Sequence, residues 1–154
     1  MPVRPATLDD LEPLSALLDG YRQFYRQEPN LEGARRFLQA RLSRGDSHLL
    51  VHEGPQGELQ GFVQLYPLLS TVRLAPLWLL NDLFVSPEAR RSGVGRALMQ
   101  AARELAESHG VAHLKLATEI TNRTAQALYE SLGWQRDTTF YHYGLLFATQ
   151  ANQG

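Results

Sequence analysis

A strand pattern, a loop with two glycines and an amphipathic helix pattern follow one another in the middle of the chain. Residues Trp78 to Val85 are predominantly apolar at both odd and even positions, which predicts a strand covered on both faces of a sheet. The helix predicted over Gly93 to His109 carries its apolar side chains on one stripe and is closed by Gly110. Because the apolar stripe must be buried against the apolar strand, this segment predicts an α/β domain in which a helix lies on a sheet.

The flanking segments extend this pattern around the same sheet. Leucines at helical spacing from Leu8 to Leu18 predict a first helix that ends at Gly20. The other predicted helices are Leu31–Ser43 and Asn122–Leu132, and the other predicted strands are Val3–Ala6, His48–Glu53, Leu59–Tyr66, Ala112–Ala117 and Phe140–Phe147. This order of elements predicts a mixed α/β (α+β) fold.

Length, charge and cysteine content narrow the class of protein. The chain has 154 residues, and we expect a single domain over residues 1–148 followed by a polar tail at 149–154. The net charge of -1 argues against a non-specific nucleic-acid-binding surface, and no apolar run is long enough to span a bilayer. The absence of cysteine excludes disulfides, thiolate metal sites and a cysteine nucleophile. We therefore expect a cytoplasmic protein that binds neither nucleic acid nor membrane.

The loop before the third helix has the composition of an anion-binding site. Gly93 and Gly95 lack Cβ atoms, so a ligand can approach the backbone, and the first N–H groups of a helix have no partner within it. A P-loop would end in Gly-Lys-Ser/Thr, and a dinucleotide loop would have a third glycine where Leu98 stands. The residues alone leave two possibilities: a site for another phosphate-containing ligand, or a tight turn that packs the helix near the sheet.

Two sequence motifs resemble the acyl-CoA signature of the GNAT superfamily of N-acetyltransferases. The segment from Val85 to Leu98 is similar to its Gln/Arg-x-x-Gly-x-Gly/Ala motif, with Arg90 at the first position, and Asn122 to Trp134 is similar to its second half. Residues 81–85 and 136–143 resemble the branch that contains diamine, polyamine and small histone acetyltransferases. The resemblance implies an acetyl-CoA-dependent enzyme. It also implies a mixed, mostly antiparallel sheet of about seven strands, about four helices and a splayed parallel strand pair.

The resemblance also implies roles for individual residues. Tyr129 would be the general acid that protonates the leaving thiolate, since the ordinary pKa of a phenol, about 10, lies above that of a thiol. Without the resemblance, the residues favour an ordinary interfacial tyrosine with its ring in the core. The strand end would pair with the pantetheine arm and supply a main-chain donor to the oxyanion. The residues implied to bind acetyl-CoA are Leu83, Phe84, Val85, Arg90, Arg91, Ser92, Gly93, Val94, Gly95, Arg96, Asn122, Ala125 and Tyr129.

Two polar residues interrupt the apolar strand and bear on the identity of the general base. The acidic residue of the diamine branch aligns with Asn81, which cannot accept a proton, and Asp82 follows it. Because successive side chains of a strand point to opposite faces, we expect Asn81 and Asp82 to point apart. Four possibilities are open: Asp82 is the base, water relays the proton, the amine arrives neutral, or Asp82 is a structural anchor bonded to loop N–H groups.

The acceptor is expected to enter between the first helical region and the later strands. If the segment is helical, one face is shared by Tyr21, Phe24, Tyr25 and Glu28. We predict Tyr25, Glu28 and Asn81 as substrate residues, although the aromatic residues could equally belong to the core. The five histidines include no pair at i, i+4, so we expect no metal site.

The chemistry of the acceptor and the assembly are two further expectations. We expect a small primary amine of polyamine or diamine type. A protein lysine or N-terminal amine is one alternative, and a non-catalytic acyl-CoA-binding regulatory domain on the same fold is another. The predicted strand from Thr138 to Phe147 is aromatic on both faces, which predicts a homodimer through that region.

Overall fold

A five-stranded sheet organises the first part of the chain in the computed structural model, which describes residues 2–148. The backbone groups into two units, Met1–Ala117 and Thr118–Gly154, and the sheet belongs to the first. Its strands are β1 (Val3–Pro5), β2 (His48–Glu53), β3 (Leu59–Ser70), β4 (Ala75–Val85) and β5 (Leu114–Lys115), in that order. β1 to β4 are antiparallel and β5 is parallel to β4. The mixed α/β class is confirmed, but the described residues form five strands rather than about seven.

Three helices pack on this sheet: α1 (Leu11–Phe24), α2 (Leu31–Arg44) and α3 (Val94–Ser108). α1 and α2 cover one face, and the buried core there includes Leu14, Leu38 and Phe62. α3 covers the other face, where Gly61, the neighbour of Phe62, meets Leu98. A Cβ atom on Gly61 would lie 3.1 Å from Leu98 Cδ1 and 2.7 Å from a carbonyl oxygen of β4, so this close approach of helix and sheet requires glycine.

α1 does not end at Gly20, as its sequence pattern predicts, but continues to Phe24. A glycine inside a helix costs about 1 kcal/mol relative to alanine. The next residue, Tyr21, packs edge-on against Phe62 and Phe84, with ring centroids 5.7 and 5.6 Å apart. This aromatic packing holds the last turn of α1 on the sheet and outweighs the low helix propensity of Gly20.

The second unit contains one helix, α4 (Arg123–Ser131), among its described residues. Asn122 caps this helix, since its side-chain oxygen accepts a hydrogen bond from the Ala125 N–H at 3.2 Å. The strand predicted over Phe140–Phe147 is wrong, because the described backbone forms no strand there. An alternating apolar pattern becomes a strand only when a neighbouring strand supplies hydrogen bonds. The predicted tail at 149–154 lies outside the described residues.

Within residues 2–148, no helix has both the length and the apolar character needed to cross a membrane.

Candidate active site

One extra residue in β4 interrupts its regular pairing with β3. Leu80 pairs with Leu65 and Asp82 pairs with Gln64, so Asn81 forms a β-bulge between the two pairs. A bulge changes the direction in which the following side chains point. The position of this bulge therefore decides the environment of Asp82.

The bulge reverses the usual alternation of side chains along β4. Trp78 stacks on His48 with ring centroids 4.2 Å apart and lies beside His109 at the end of α3, 5.2 Å away. Phe84 instead belongs to the core beneath α1 and α2. In a regular strand these two positions would share a face. Asp82, two residues before Phe84, therefore lies on the α1–α2 side of the sheet.

The bulge also brings the side chains of Asn81 and Asp82 together, so the prediction that they point apart is wrong. Asn81 Nδ2 donates a hydrogen bond to Asp82 Oδ2 at 3.0 Å, and Gln64 Nε2 donates to the same oxygen at 2.9 Å. The Ser47 hydroxyl donates to Gln64 Oε1 at 2.9 Å. Asp82 is 8% exposed and Gln64 is 1% exposed, so these groups form a buried polar chain. Its donors to Asp82 are side-chain amides, not loop N–H groups.

The other oxygen of Asp82 has a different environment. Oδ1 takes part in none of the hydrogen bonds or ion pairs found among residues 2–148. In the same part of the chain, the fully buried side-chain nitrogen or oxygen atoms without a partner are Nδ1 of His52 and Nδ1 of His113. Asp82 Oδ1 is not among them and so reaches solvent. A largely buried carboxylate with no cationic partner is costly to fold around. Its open oxygen can accept a proton or bind an ammonium group.

Tyr66 follows Gln64 on the same face of β3 and faces this polar chain. Burial raises the pKa of its phenol, and the charge of Asp82 raises it further. Tyr66 is therefore neutral at physiological pH and can donate a hydrogen bond. The sequence motifs point to none of Ser47, Gln64 and Tyr66. The available signal is Gln64 itself, a polar residue between the apolar residues Val63 and Leu65.

β4 and β5 are paired over a short stretch only. The parallel ladder joins Trp78 to Leu114 and Leu79 to Lys115. Beyond Leu79, the strand partner of β4 within the first unit is β3. Along Leu83 to Val85, the edge of β4 that faces away from β3 therefore has no strand partner among the described residues of that unit. Such an edge can add main-chain hydrogen bonds to an extended ligand.

The loop between β4 and α3 presents backbone N–H groups at the start of the helix. Gly93 caps α3 with a φ of 85°, and no atom lies within 4 Å of the position that a Cβ would take. The first backbone hydrogen bond of α3 runs from the Ala97 N–H to the Gly93 carbonyl at 3.0 Å. The N–H groups of Val94 and Gly95 lie before it and have no acceptor within the helix. The Ser92 hydroxyl donates to a carbonyl of the preceding turn. The open space and the helix dipole suit a pyrophosphate.

Arg90 is held by contacts that its motif position does not predict. Its Nε donates to the Val85 carbonyl at 3.1 Å. Its guanidinium lies over the rings of Phe24 and Phe84, 5.8 and 5.6 Å from their centroids. Arg90 therefore ties the loop to the end of β4 and to α1. The neighbouring Arg91 is exposed and adopts a φ of 65°.

The predicted shared helical face of Tyr25 and Glu28 does not form. α1 ends at Phe24, and Arg26 has a φ of 65°, which turns the chain out of the helix. Tyr25 packs edge-on against Tyr21 with ring centroids 5.2 Å apart, whereas Glu28 lies exposed in the following loop. The structure thus clusters the aromatic members of the predicted acceptor set and separates the acidic one.

Tyr129 and Asn122 both belong to α4 in the second unit. Asn122 is occupied as the N-terminal cap described above. Tyr129 is half-buried, and its ring centroid lies 6.2 Å from that of Trp134. The Trp134 N–H donates to the Tyr129 carbonyl at 3.1 Å, which folds the chain back over the end of the helix. Both ends of α4 are therefore fixed by local contacts. In residues 2–148, no cluster of three or more histidine, cysteine or acidic residues could hold a metal ion.

Comparison with known proteins gives a consistent assignment. The model of the acetyltransferase (GNAT) family matches residues 14–134. The uncharacterized N-acetyltransferase YhfO of Bacillus subtilis (strain 168) is 45% identical over 145 residues, which are 94% of this chain and 97% of that protein. A crystal structure of a probable acetyltransferase has a TM-score of 0.89 and 36% identity, covering 96% of this chain and 99% of that chain. A ribosomal protein bS18-alanine N-acetyltransferase of Escherichia coli (strain K12) is 41% identical over 64 residues, 42% of this chain and 43% of that protein.

The family match spans both halves of the acyl-CoA signature and most of the chain. GNAT enzymes use acetyl-CoA as co-substrate, and the glycine-capped start of α3 fits the phosphates of that molecule. The match to N-acetyltransferases favours an enzyme over a non-catalytic acyl-CoA-binding domain. It does not single out the diamine and histone branch. The chain belongs to the GNAT family of acetyltransferases and is itself an N-acetyltransferase.

Proposed function

We propose that the enzyme transfers the acetyl group of acetyl-CoA to a primary amine of a small molecule, of the diamine or polyamine type. The observation that carries this proposal is the Asp82 carboxylate, which is 8% exposed, has no cationic partner among the described residues and keeps one oxygen open. A recessed negative charge attracts an alkylammonium group. Limited access favours a slender amine over the surface of a folded protein.

The donor is held mainly by backbone. The N–H groups from Arg91 to Arg96 bind the pyrophosphate, and the unpaired edge of β4 at Leu83–Val85 binds the pantetheine arm. The second half of the acyl-CoA signature assigns Asn122 and Ala125, at the start of α4, to acetyl-CoA as well. The support for the roles of the loop and of β4 is the open, glycine-capped helix start and the short β4–β5 ladder. Acetyl-CoA supplies an activated acyl group, and these residues supply its orientation.

The chain's own residues move the protons of the reaction. The acceptor ammonium gives one proton to Asp82 Oδ1, and its nitrogen then attacks the thioester carbonyl carbon. The C–N bond forms and the C–S bond breaks, while a main-chain N–H of Leu83–Val85 stabilises the negative charge on the carbonyl oxygen. Tyr129 protonates the leaving sulfur, and the second proton lost by nitrogen restores its phenol. The products are an acetamide and free CoA thiol.

The acceptor is positioned by residues on both sides of the bulge. Asn81 is exposed beside Asp82 and can accept a hydrogen bond from the amine through its amide oxygen. Tyr25, in the aromatic cluster at the end of α1, packs against the methylene chain. Glu28 attracts a second cationic group of a longer polyamine from the adjoining loop.

A protein N-terminus is the second candidate acceptor. The specific support is the 41% identity to the ribosomal protein bS18-alanine N-acetyltransferase of E. coli, although this covers only 64 residues. That segment is less than half of either chain. The recessed carboxylate favours the small amine.

An amine panel tests the proposal directly. Purified protein is incubated with acetyl-CoA and, separately, with diamines, polyamines, a monoamine, a lysine peptide and a peptide with N-terminal alanine, and release of free thiol is followed. We expect the highest kcat/KM for a diamine or polyamine, because the second cation adds a contact with Glu28. Transfer confined to the alanine peptide would establish the second candidate instead. No thiol release with any amine would contradict both.

We also propose that two copies associate through residues 138–147. Tyr141 is 91% exposed, Tyr143 is 94% exposed and Leu145 is 83% exposed, and a run of exposed apolar side chains favours association. Light scattering at micromolar concentration should give twice the 17.3 kDa mass of one chain. Tyr143→Lys should give a monomer. Val72→Lys, at a 96% exposed position in the β3–β4 connection, should remain dimeric. A monomeric mass for the unmodified protein would refute the dimer.

A further inference from the structure

Gln64 is the most deeply buried polar side chain beside the candidate base. It lies in the middle of β3, between β2 and β4, and is 1% exposed. Its amide nitrogen donates to Asp82 Oδ2 at 2.9 Å, and its amide oxygen accepts from the Ser47 hydroxyl at 2.9 Å. Because a carboxylate only accepts hydrogen bonds, the NH2 end of the amide must face Asp82. The carboxylate thereby fixes the orientation of the amide, and the Ser47 hydroxyl donates to its opposite end.

We propose that Gln64, held by Ser47, is a positioning residue for Asp82; this inference rests on the proposed function above. Two hydrogen bonds to Oδ2 orient the carboxylate and leave Oδ1 to take the proton of the amine. The donor Asn81 is exposed, so water competes with its hydrogen bond, whereas the hydrogen bond from buried Gln64 is shielded. Gln64 therefore contributes most of the orientation.

Other titratable groups near Gln64 and Asp82 could also affect the pH–rate profile of a Gln64 variant. Charged or titratable side chains on the elements around it are Tyr21 on α1, Tyr66 on β3, Arg41 and Asp46 at the end of α2 and after it, and Lys115 on β5. Arg41 and Asp46 pair with each other at 2.7 Å. None of the five is hydrogen-bonded to Asp82. Replacing Gln64 with an apolar residue removes its hydrogen bonds with Asp82 and Ser47 without removing a charge.

Variants at Gln64 and Ser47 test this role. Gln64→Leu should lower kcat about tenfold, the typical effect of losing one hydrogen bond to a charged group, and leave the KM for acetyl-CoA unchanged. The acid limb of its pH–rate profile should move to higher pH, because the charged carboxylate loses a donor. Gln64→Glu keeps the side-chain length, places a second carboxyl against Asp82 and should move the limb further. Ser47→Ala should show a smaller loss that Ser47→Thr, which retains a hydroxyl, restores.

The control and the contrary outcomes separate this inference from the proposed function. Gln60→Leu, in the same strand, should match the unmodified enzyme, since its side chain makes none of these contacts. A normal kcat and acid limb in both Gln64→Leu and Gln64→Glu would overturn the positioning role while amine acetylation stands. Equal losses in Ser47→Ala and Ser47→Thr would also count against it. If the unmodified enzyme acetylates no amine, both the function and this inference fail.

Discussion

Tyr129→Phe is expected to lower kcat by about two to three orders of magnitude, the usual contribution of a positioned general acid. The variant lacks one hydroxyl, so the sulfur would leave as an unprotonated thiolate. The phenyl ring keeps the contact with Trp134, 6.2 Å between centroids, and the backbone bonds that close α4 are unaffected. These contacts should therefore persist in the variant. Acetyl-CoA affinity, measured by calorimetry, should also be retained.

Two results would contradict the acid assignment of Tyr129. Unchanged turnover would show that water or another group protonates the thiolate. A loss of acetyl-CoA affinity that accounts for the whole fall in kcat/KM would instead make Tyr129 a binding residue. Single-turnover measurements at saturating acetyl-CoA distinguish an acid role from a binding role, because they report the chemical step independently of donor binding.

Asp82→Asn is expected to lower kcat/KM for the amine by about two orders of magnitude at neutral pH, as for the loss of a general base. The substitution is close to isosteric. The asparagine oxygen can accept the hydrogen bonds from Gln64 and Asn81 that Oδ2 accepts now, and its NH2 group then occupies the open position. The fold should survive, while the proton acceptor is lost.

The pH profile decides what Asp82 does. In the unmodified enzyme the rate should rise with pH as the carboxylate loses its proton, since only the charged form can act as base. In Asp82→Asn this acid limb should disappear, and the rate should recover at high pH, where the amine is neutral in solution. Asp9→Asn, at an exposed carboxylate in the short turn Leu8–Asp10 that precedes α1, is the matched control and should keep the acid limb. An acid limb that persists in Asp82→Asn would exclude Asp82 as the base.

Local sequence signals are sufficient to predict the helices around the donor site. Gly93 marks the start of α3 because its backbone must adopt a positive φ, and Asn122 marks the start of α4 because its side chain caps the helix. The apolar stripe of α3 predicts which face meets the sheet. These features depend on residues close together in sequence, so the pattern contains the information. The resemblance to the acyl-CoA signature rests on the same two segments and agrees with the family match.

Other features depend on partners distant in sequence. The first helix passes Gly20 because Tyr21 packs against Phe62 and Phe84. Residues 140–147 have a strand pattern but form no strand in the described chain, since pairing requires a neighbour that the pattern does not supply.

The environment of Asp82 shows most clearly the difference between what the sequence determines and what the tertiary structure determines. The residue pattern alone predicts that side chains alternate regularly along β4, with Asn81 and Asp82 on opposite faces. The bulge opposite Gln64 and Leu65 joins the two side chains instead. The sequence alone shows the groups that acyl transfer to an amine needs: a glycine-capped phosphate loop, a phenol and a carboxylate. Which oxygen of Asp82 is held and which is free is decided by the pairing of β4 with β3 and by the approach of Ser47, because hydrogen bonds between strands depend on register in three dimensions.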